Sequence, residues 1–140
     1  MSGARLIYLA LGGAGEIGMN AYVYGYGPED AERYILVDLG VAFPDMDGTP
    51  GVDLILPDMS WLIERKDRLD GIFVTHAHED HVGGIGHMAH QFDCPIYARS
   101  FTAHIAKRKM EERGQNTDRV VTCGAWPEKT SCGPFGVAFL

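Results

Sequence analysis

Long apolar stretches, positive charge and cysteine are all scarce in this sequence of 140 residues. No apolar run approaches the roughly 20 residues that a membrane-spanning helix needs, so we expect no membrane partner. The 12 Lys and Arg residues against 19 Asp and Glu residues give a net charge of −7. This balance excludes a protein that binds nucleic acid through a broadly basic surface. Any contact with RNA must therefore depend on a local site or on metal ions.

The three cysteines, Cys94, Cys123 and Cys132, lack the Cys-x-x-Cys spacing of a metal or redox motif. An odd and sparse set also excludes a disulfide framework. The N-terminal stretch is a poor signal peptide, because a single Arg precedes a short apolar run that ends in glycines. We therefore expect reduced, partly buried cysteines and a cytoplasmic location.

The apolar patterns predict a mixed α/β domain in which strands dominate the first half. The chain shows no internal repeat or low-complexity tract, and its length suits one domain. The predicted strands are 5–11, 20–26, 35–40, 71–75, 95–98, 119–123 and 135–140. The predicted helices are 59–67, 84–91 and 101–113. Residues 42–58 are rich in Pro, Gly and Asp, and we expect a long loop that borders a site.

The stretch GAGEIG at residues 13–18 has the spacing G-x-G-x-x-G after a predicted strand, with Asp38 20 residues further on. A dinucleotide-binding fingerprint has this layout, but it also needs a helix that begins within the glycines. Residues 20–26 alternate in the manner of a strand instead, and Gly27 and Pro28 follow. We therefore predict no NAD binding. The glycines are interpreted as a connection between strands whose backbone passes close to another group, with a plain loop as the alternative.

The segment VTHAHEDHVGG at residues 74–84 contains His76, His78, Asp80 and His81 in the pattern H-x-H-x-D-H. Imidazole and carboxylate ligands together suit zinc and other divalent first-row metals. In extended chain, residues i and i+2 point the same way, so His76 and His78 can bind one ion. Where the chain turns, Asp80 and His81 can face a second ion. Four ligand-type residues at this spacing favour a metal site over the alternative, a polar loop with accidental histidines.

Other polar residues have weaker claims to a role at this site. Asp38 ends a predicted strand, and we expect its carboxylate to hydrogen-bond an imidazole that binds the metal, without binding the metal itself. The alternative is a solvated carboxylate at the end of the strand. Glu79 lies among the ligands in sequence but is interpreted as pointing to solvent. His87, His90 and His104 are interpreted as surface or packing residues.

The H-x-H-x-D-H motif after a buried strand resembles that of the metallo-β-lactamase superfamily, which implies an αββα sandwich with metals at the sheet edges. Residues 11–20, 35–58 and 71–85 together resemble the ribonuclease J family of the β-CASP group. This resemblance implies a zinc-dependent hydrolase with 5′→3′ exoribonuclease and endoribonuclease activity, acting in RNA decay and maturation. It also implies two Zn²⁺ ions in a complete site, with Mn²⁺ or Mg²⁺ as alternatives, and a homodimer or higher oligomer.

Carried over residue by residue, the resemblance implies that His76 and His78 bind one metal ion. Asp80 and His81 would bind the other and act as the catalytic pair, and Asp38 would support the site. Water activated by the metals would attack the phosphorus, while the ions offset charge on the phosphoryl oxygens.

The glycine loop would then lie along the RNA path, and we expect Gly13, Gly15 and Glu16 to take part there. The family is several times longer than this sequence, and its later metal-ligand histidine, its bridging aspartate and its β-CASP domain have no counterpart here. We therefore expect residues 1–140 to be the N-terminal half of a metallo-β-lactamase domain, without the β-CASP and C-terminal domains. Such a fragment would have little or no nuclease activity.

Two alternative functions stay open at this point. A metallohydrolase of small thioesters or lactones would share the metal motif, although it does not account for the other two segments of the resemblance. A non-catalytic fragment that serves as an interaction module would account for the missing ligands.

Overall fold

A mixed β-sheet of six strands lies at the centre of the fold. The computed structural model describes residues 3–13, 18–43 and 54–140. The main sheet has the order β1-β2-β3-β4-β5-β6, and a separate hairpin joins β7 to β8. The strands are β1 (Arg5–Gly12), β2 (Ala21–Gly27), β3 (Arg33–Val37), β4 (Leu69–Val74), β5 (Ile96–Ala98), β6 (Val120–Thr122), β7 (Thr130–Cys132) and β8 (Phe135–Val137). The α-helices are α1 (Ser60–Ile63), α2 (Glu79–Val82), α3 (Ile85–Met88) and α4 (Ser100–Glu111), and short 3₁₀ turns cover Lys66–Arg68 and Ala89–Gln91.

The strand sequences differ according to how many faces each strand buries. In β2, buried and more exposed residues alternate, as in an antiparallel strand that has one covered face and one face toward solvent. Strands β3 and β4 carry the nearly continuous apolar runs YILV and GIFV, because both of their faces are covered. The sheet is antiparallel from β1 to β3 and parallel from β3 to β6.

The parallel pairing of β3 with β4 positions the polar residues that follow each strand. Val37 pairs with Phe73, so both strands end at the same edge of the sheet. Asp38 follows β3, and the backbone N–H of Asp38 donates to the carbonyl of Phe73 (2.7 Å). Ligand sites of open α/β sheets lie at this carboxyl edge. The topology thus brings Asp38 beside the histidine-rich segment that follows β4.

The two faces of the main sheet are covered by different layers. The main core lies on one face, where the helices pack against residues such as Leu36, Ile72 and Ile96. On the other face, the β7–β8 hairpin packs Cys132 against Ile35 and Phe73. The mixed α/β class predicted from sequence is confirmed. Within the described ranges, no helix is long and apolar enough to cross a membrane.

The structure confirms the predicted strands and corrects several element boundaries. Strand β3 ends at Val37 rather than at residue 40, because Asp38 adopts a positive φ of 67°. The predicted helix over 84–91 is present as α3 followed by a 3₁₀ turn over Ala89–Gln91, whereas the separate helix α2 at Glu79–Val82 was not predicted. Between α2 and α3, the N–H of Gly84 donates outside the helices, to the carbonyl of Leu39 (2.8 Å). The predicted helices at 59–67 and 101–113 are also shorter in the structure.

The prediction of a long loop over 42–58 falls partly outside the described residues. At its margins, Ala42 and Ile55 form an antiparallel bridge with backbone hydrogen bonds of 2.8 and 2.9 Å. Residues 44–53 lie outside the described part of the chain, as do Gly15 and Glu16 of the glycine loop.

All three cysteines are buried and free. Burial raises the pKa of Cys94 to about 12 and that of Cys132 to about 11. Because the thiolate is the reactive form, these two thiols are poor nucleophiles at neutral pH.

Three loops join at the carboxyl edge of the sheet through backbone hydrogen bonds. The N–H of Asn20 donates to the carbonyl of Asp80 (3.0 Å), and the N–H of Gly40 donates to the carbonyl of Asn20 (3.0 Å). The N–H of Val41 donates to the carbonyl of Glu79 (3.0 Å). Gly40 is required by this close approach, because a Cβ at this position would overlap the carbonyl oxygen of Asp80.

At the opposite, amino end of β3, the buried carboxylate of Glu32 holds three segments of the chain together. It accepts hydrogen bonds from Arg5 (3.0 Å), the Asp30 N–H (3.0 Å), the Tyr34 hydroxyl (3.1 Å) and Arg68 (3.4 Å). Burial raises the pKa of Glu32, but the hydrogen bonds from Arg5, Asp30 and Tyr34 outweigh it and leave the pKa below its ordinary value.

Replacing Gly40 with Ala is expected to lower the free energy of unfolding by about 1–3 kcal/mol, because the new methyl group must displace backbone of the 79–82 segment. Urea denaturation of both proteins measures the difference. Gly136→Ala is the matched control, since a Cβ there would meet nothing within 4 Å. Equal losses of unfolding free energy in Gly40→Ala and Gly136→Ala would contradict the close approach of Gly40 to the Asp80 carbonyl.

Replacing Glu32 with Gln is expected to lower the Tm at pH 7, because the ionised carboxylate loses its charged partners. A lowered pKa contributes stability above the ordinary value of 4.5, and that contribution disappears as the pH falls through the folded-state pKa. The difference in Tm between parent and variant should therefore shrink below pH 4.5. Calorimetry from pH 3 to pH 7 checks this, with the exposed Glu111→Gln as control; a pH-independent difference would argue against it.

Candidate metal centre

The histidine-rich segment leaves the carboxyl end of β4 and turns directly into a helix. Strand β4 ends at Val74, and His78 still has extended backbone angles (φ −74°, ψ 151°) just before α2 begins at Glu79. His76 and His78 therefore lie in the non-helical part of the segment, whereas Asp80 and His81 lie in the first turn of α2. The motif thus divides into two pairs with different local backbone, as its sequence predicts.

The buried carboxylate of Asp38 is the centre of the hydrogen bonds at this edge. Only 3% of the residue is exposed. It accepts the backbone N–H of Thr75 (2.7 Å), the Thr75 hydroxyl (2.8 Å) and Nδ1–H of His81 (2.7 Å). The expected hydrogen bond between Asp38 and an imidazole is therefore present, and its partner is His81.

These contacts determine which nitrogen carries the proton in two imidazoles. A carboxylate only accepts, so Nδ1 of His81 must carry its proton toward Asp38. The Thr75 hydroxyl has one hydrogen, which it donates to Asp38, so its oxygen accepts from Nδ1–H of His76 (2.9 Å). In their neutral forms, both histidines then present an unprotonated Nε2. This is the form in which imidazole binds a metal.

The four motif residues lie close together without forming a closed set. The ring centres of His76 and His81 are 4.5 Å apart, and those of His76 and His78 are 6.0 Å apart. Oδ2 of Asp80 is 3.6 Å from Nε2 of His81. Two ligands with bonds of about 2.0–2.2 Å lie at most about 4.4 Å apart, so this pair suits one shared ion. Among residues 3–13, 18–43 and 54–140, no three His, Cys, Asp or Glu side chains form a group that could hold an ion.

Glu79 is exposed, as predicted, but it also forms an ion pair that the sequence did not predict. Its Oε1 accepts from Nζ of Lys109 on α4, although about half of the side chain is exposed. On the same side of the motif, Nη2 of Arg113 lies 3.2 Å from Nε2 of His87. Burial first, and then the nearby Arg113 and Lys109 charges, lower the pKa of His87. His90, by contrast, is exposed.

Three residues that the sequence did not single out contact the motif directly. Thr75 joins Asp38 to His76, and Gly40 permits the close approach of Asp80. Asn20 donates from Nδ2 to the carbonyl of Asp80 (2.8 Å). Thr75 precedes His76, Gly40 lies two residues after Asp38, and Asn20 lies two residues after the glycine stretch at 13–18. Their closeness in sequence to these features is the signal that could have identified them.

The start of the glycine loop packs beside this contact. Gly13 has a φ of 91°, and a Cβ there would overlap the Tyr22 hydroxyl and lie 2.6 Å from Oδ1 of Asn20. The prediction that the glycine connection passes close to another group is therefore confirmed at Gly13. Gly15 and Glu16 lie outside the described residues.

A cavity of about 400 Å³ opens beside Asp80. Its lining includes Gly18, Val41, Ala42, Phe43, Glu79 and Asp80. Phe43 is 65% exposed, so an aromatic face is available next to the exposed carboxylate of Asp80.

Comparison with known proteins agrees with this architecture. Residues 14–138 match the metallo-beta-lactamase superfamily. Ribonuclease J of Sinorhizobium meliloti is 41% identical over 133 residues, which cover 95% of this chain and 23% of that protein. Ribonuclease J 1 of Streptococcus pyogenes is 41% identical over 105 residues, which cover 75% of this chain and 18% of that protein. The chain thus spans about a fifth of the length of these curated relatives.

A solved structure of the chemotaxis sensor ODP, described as a peroxy diiron species, shares the fold. The TM-score is 0.52 at 20% sequence identity, and the match covers 92% of this chain and 44% of that one. The resemblance stated from the sequence motifs is confirmed. With the family match over residues 14–138 and this shared architecture, the chain belongs to the metallo-beta-lactamase superfamily.

Proposed function

We propose that this chain carries the metal-binding motif of a ribonuclease that hydrolyses RNA phosphodiesters with a metal-activated water. The observation that carries the proposal is the arrangement around Asp38, in which His76 and His81 use Nδ1 for hydrogen bonds, leave Nε2 for a metal, and have ring centres 4.5 Å apart. The 41% identity to two ribonuclease J sequences supports RNA as the substrate. We further propose 5′→3′ exonuclease and endonuclease activity, serving RNA decay and maturation.

The donor set suits two divalent ions, with His76 and His78 holding one and Asp80 and His81 the other. Zinc is the proposed metal because imidazole and carboxylate are among its usual ligands, with Mn²⁺ or Mg²⁺ as alternatives. When bound, the metal would lower the pKa of a water molecule and would offset charge on the phosphoryl oxygens.

The residues of this chain would contribute orientation and substrate contact. Asp38 holds the proton of His81 on Nδ1 and, through the Thr75 hydroxyl, holds the proton of His76 on Nδ1 as well. Nε2 of each imidazole is then free to bind a metal. The exposed ring of Phe43 beside Asp80 offers a surface on which a nucleobase can stack. Stacking of this kind needs no basic surface, which fits the net charge of −7. In this proposal, the start of the glycine loop at Gly13 lies near the RNA path.

We also propose that residues 1–140 supply only the first half of the catalytic domain. The chain spans about a fifth of its curated relatives, and two motif pairs leave ligand positions for side chains from elsewhere. The whole protein would act as a homodimer or higher oligomer in the cytoplasm, and the 140-residue chain alone would have little nuclease activity.

The longest expressible reading frame that contains this chain should degrade an internally labelled, 5′-monophosphorylated RNA in Zn²⁺ or Mn²⁺. Asp80→Ala should reduce the rate by about a hundredfold or more, because loss of this carboxylate misplaces the reacting groups. Gel analysis of released mononucleotides against time measures the rate. His104→Ala, an exposed histidine on α4, is the matched control.

Equal rates for the parent and Asp80→Ala would contradict the assignment of this motif to catalysis. Intact RNA despite bound metal would favour a hydrolase of small thioesters or lactones, which direct ester-hydrolysis assays then test. No hydrolysis of either substrate class would favour a non-catalytic interaction module.

Asp38→Asn is expected to weaken Zn²⁺ binding by about 10–100-fold. The neutral amide replaces the charged carboxylate that accepts the Nδ1–H of His81, so the proton is no longer held on Nδ1 and Nε2 is no longer kept free for the metal. Competition with a chromophoric chelator measures the Kd. Asp58→Asn provides a matched control at an exposed carboxylate that caps the Ser60 N–H (3.0 Å). A Zn²⁺ Kd that matches the parent's would refute the supporting role of Asp38.

A further inference from the structure

The peptide group between Asp80 and His81 is held from both sides. Its carbonyl oxygen accepts two hydrogen bonds from Asn20, one from the backbone N–H (3.0 Å) and one from Nδ2 (2.8 Å). Its N–H, which belongs to His81, donates to the carbonyl of His78 (2.9 Å). Because this single peptide carries the Cα atoms of both Asp80 and His81, its orientation sets the direction in which the two side chains leave the backbone.

Asn20 is itself oriented by two further contacts. Its Oδ1 accepts the Tyr22 hydroxyl (2.8 Å), which leaves Nδ2 facing Asp80. Its own carbonyl accepts the Gly40 N–H (3.0 Å). The residue therefore joins β2, the loop after β3 and the first turn of α2, and its amide is aligned before any ligand binds.

We propose that Asn20 is a positioning residue for the candidate metal centre, acting through the Asp80–His81 peptide, with Tyr22 fixing the orientation of its amide. The inference rests on the proposed function, in which Asp80 and His81 bind one ion. It adds a role for the end of the glycine loop: the backbone there holds the metal motif in place. A shift of this loop would be transmitted to Asp80 through two hydrogen bonds.

Asn20→Asp tests the proposal with little change in the size of the side chain. It replaces the Nδ2 donor with a carboxylate oxygen, which repels the carbonyl oxygen of Asp80. In the metal-free chain, amide hydrogen exchange over residues 79–82 should be about tenfold faster than in the parent. The Kd for Co²⁺, followed by its visible absorption, should rise about tenfold. Asn116→Asp, the same change at an exposed position, should alter neither quantity.

Tyr22→Phe removes only the hydroxyl. It should increase the amide exchange rate over residues 79–82 and the Co²⁺ Kd, each by less than Asn20→Asp does. Its control is Tyr26→Phe, on the same strand and 43% exposed. If Asn20→Asp does not fold, Tyr22→Phe decides the question on the same two readouts.

Unchanged exchange over residues 79–82 would overturn the proposal. Faster exchange with an unchanged Co²⁺ Kd would overturn it as well, because Asn20 would then be merely structural. The Co²⁺ titrations use the longest expressible reading frame that contains this chain, because residues 1–140 are proposed to supply only part of the site. If that parent protein binds no Co²⁺, the proposed function fails, while the exchange data still decide whether Asn20 holds the peptide.

Discussion

The buried carboxylate of Asp38 is the interaction on which the carboxyl edge of this sheet depends. It accepts a backbone N–H and a hydroxyl from Thr75 and an imidazole N–H from His81, and so it joins the ends of two neighbouring strands. A buried carboxylate is costly unless its oxygens are satisfied, and here three donors meet that requirement. The same donors orient the side chains that the function would use. Stability and site geometry at this edge therefore have a common origin.

A second layer of constraint comes from backbone contacts between loops. Asn20 and Gly40 lie in two separate loops and Glu79 begins α2, yet the main chains of these three segments are hydrogen-bonded into one unit. Such packing requires close approach, which Gly40 permits because it has no Cβ. The unit holds α2 against the sheet while the side chain of Asp80 stays 43% exposed. A rigid backbone beneath an accessible carboxylate is suited to binding a ligand.

Prediction from sequence succeeded where the signal was local. The continuous apolar runs in β3 and β4 predicted buried strands, and the alternation in residues 20–26 predicted β2 rather than a helix. It missed α2 at Glu79–Val82, which is separate from α3 because the N–H of Gly84 donates to the carbonyl of Leu39. That hydrogen bond joins residues 45 positions apart, so no pattern within residues 79–91 predicts it. The ion pair of the exposed Glu79 was not predicted for a similar reason, since its partner Lys109 lies on α4.

The sequence by itself determined the composition of the site: His76, His78, Asp80 and His81 within six residues, and an aspartate at the end of an earlier strand. Spacing also divided the motif into an extended pair and a turned pair. Only the tertiary structure decided which imidazole Asp38 contacts, which ring nitrogens stay free, and that Asn20 holds the Asp80 peptide. These choices depend on strand order and on contacts across 37 to 60 residues, as between Asp38 and Thr75 or between Asn20 and Asp80. The packing of the whole sheet determines hydrogen-bond partners at such separations, whereas the amino-acid sequence alone determines the types of ligand residue and their local spacing.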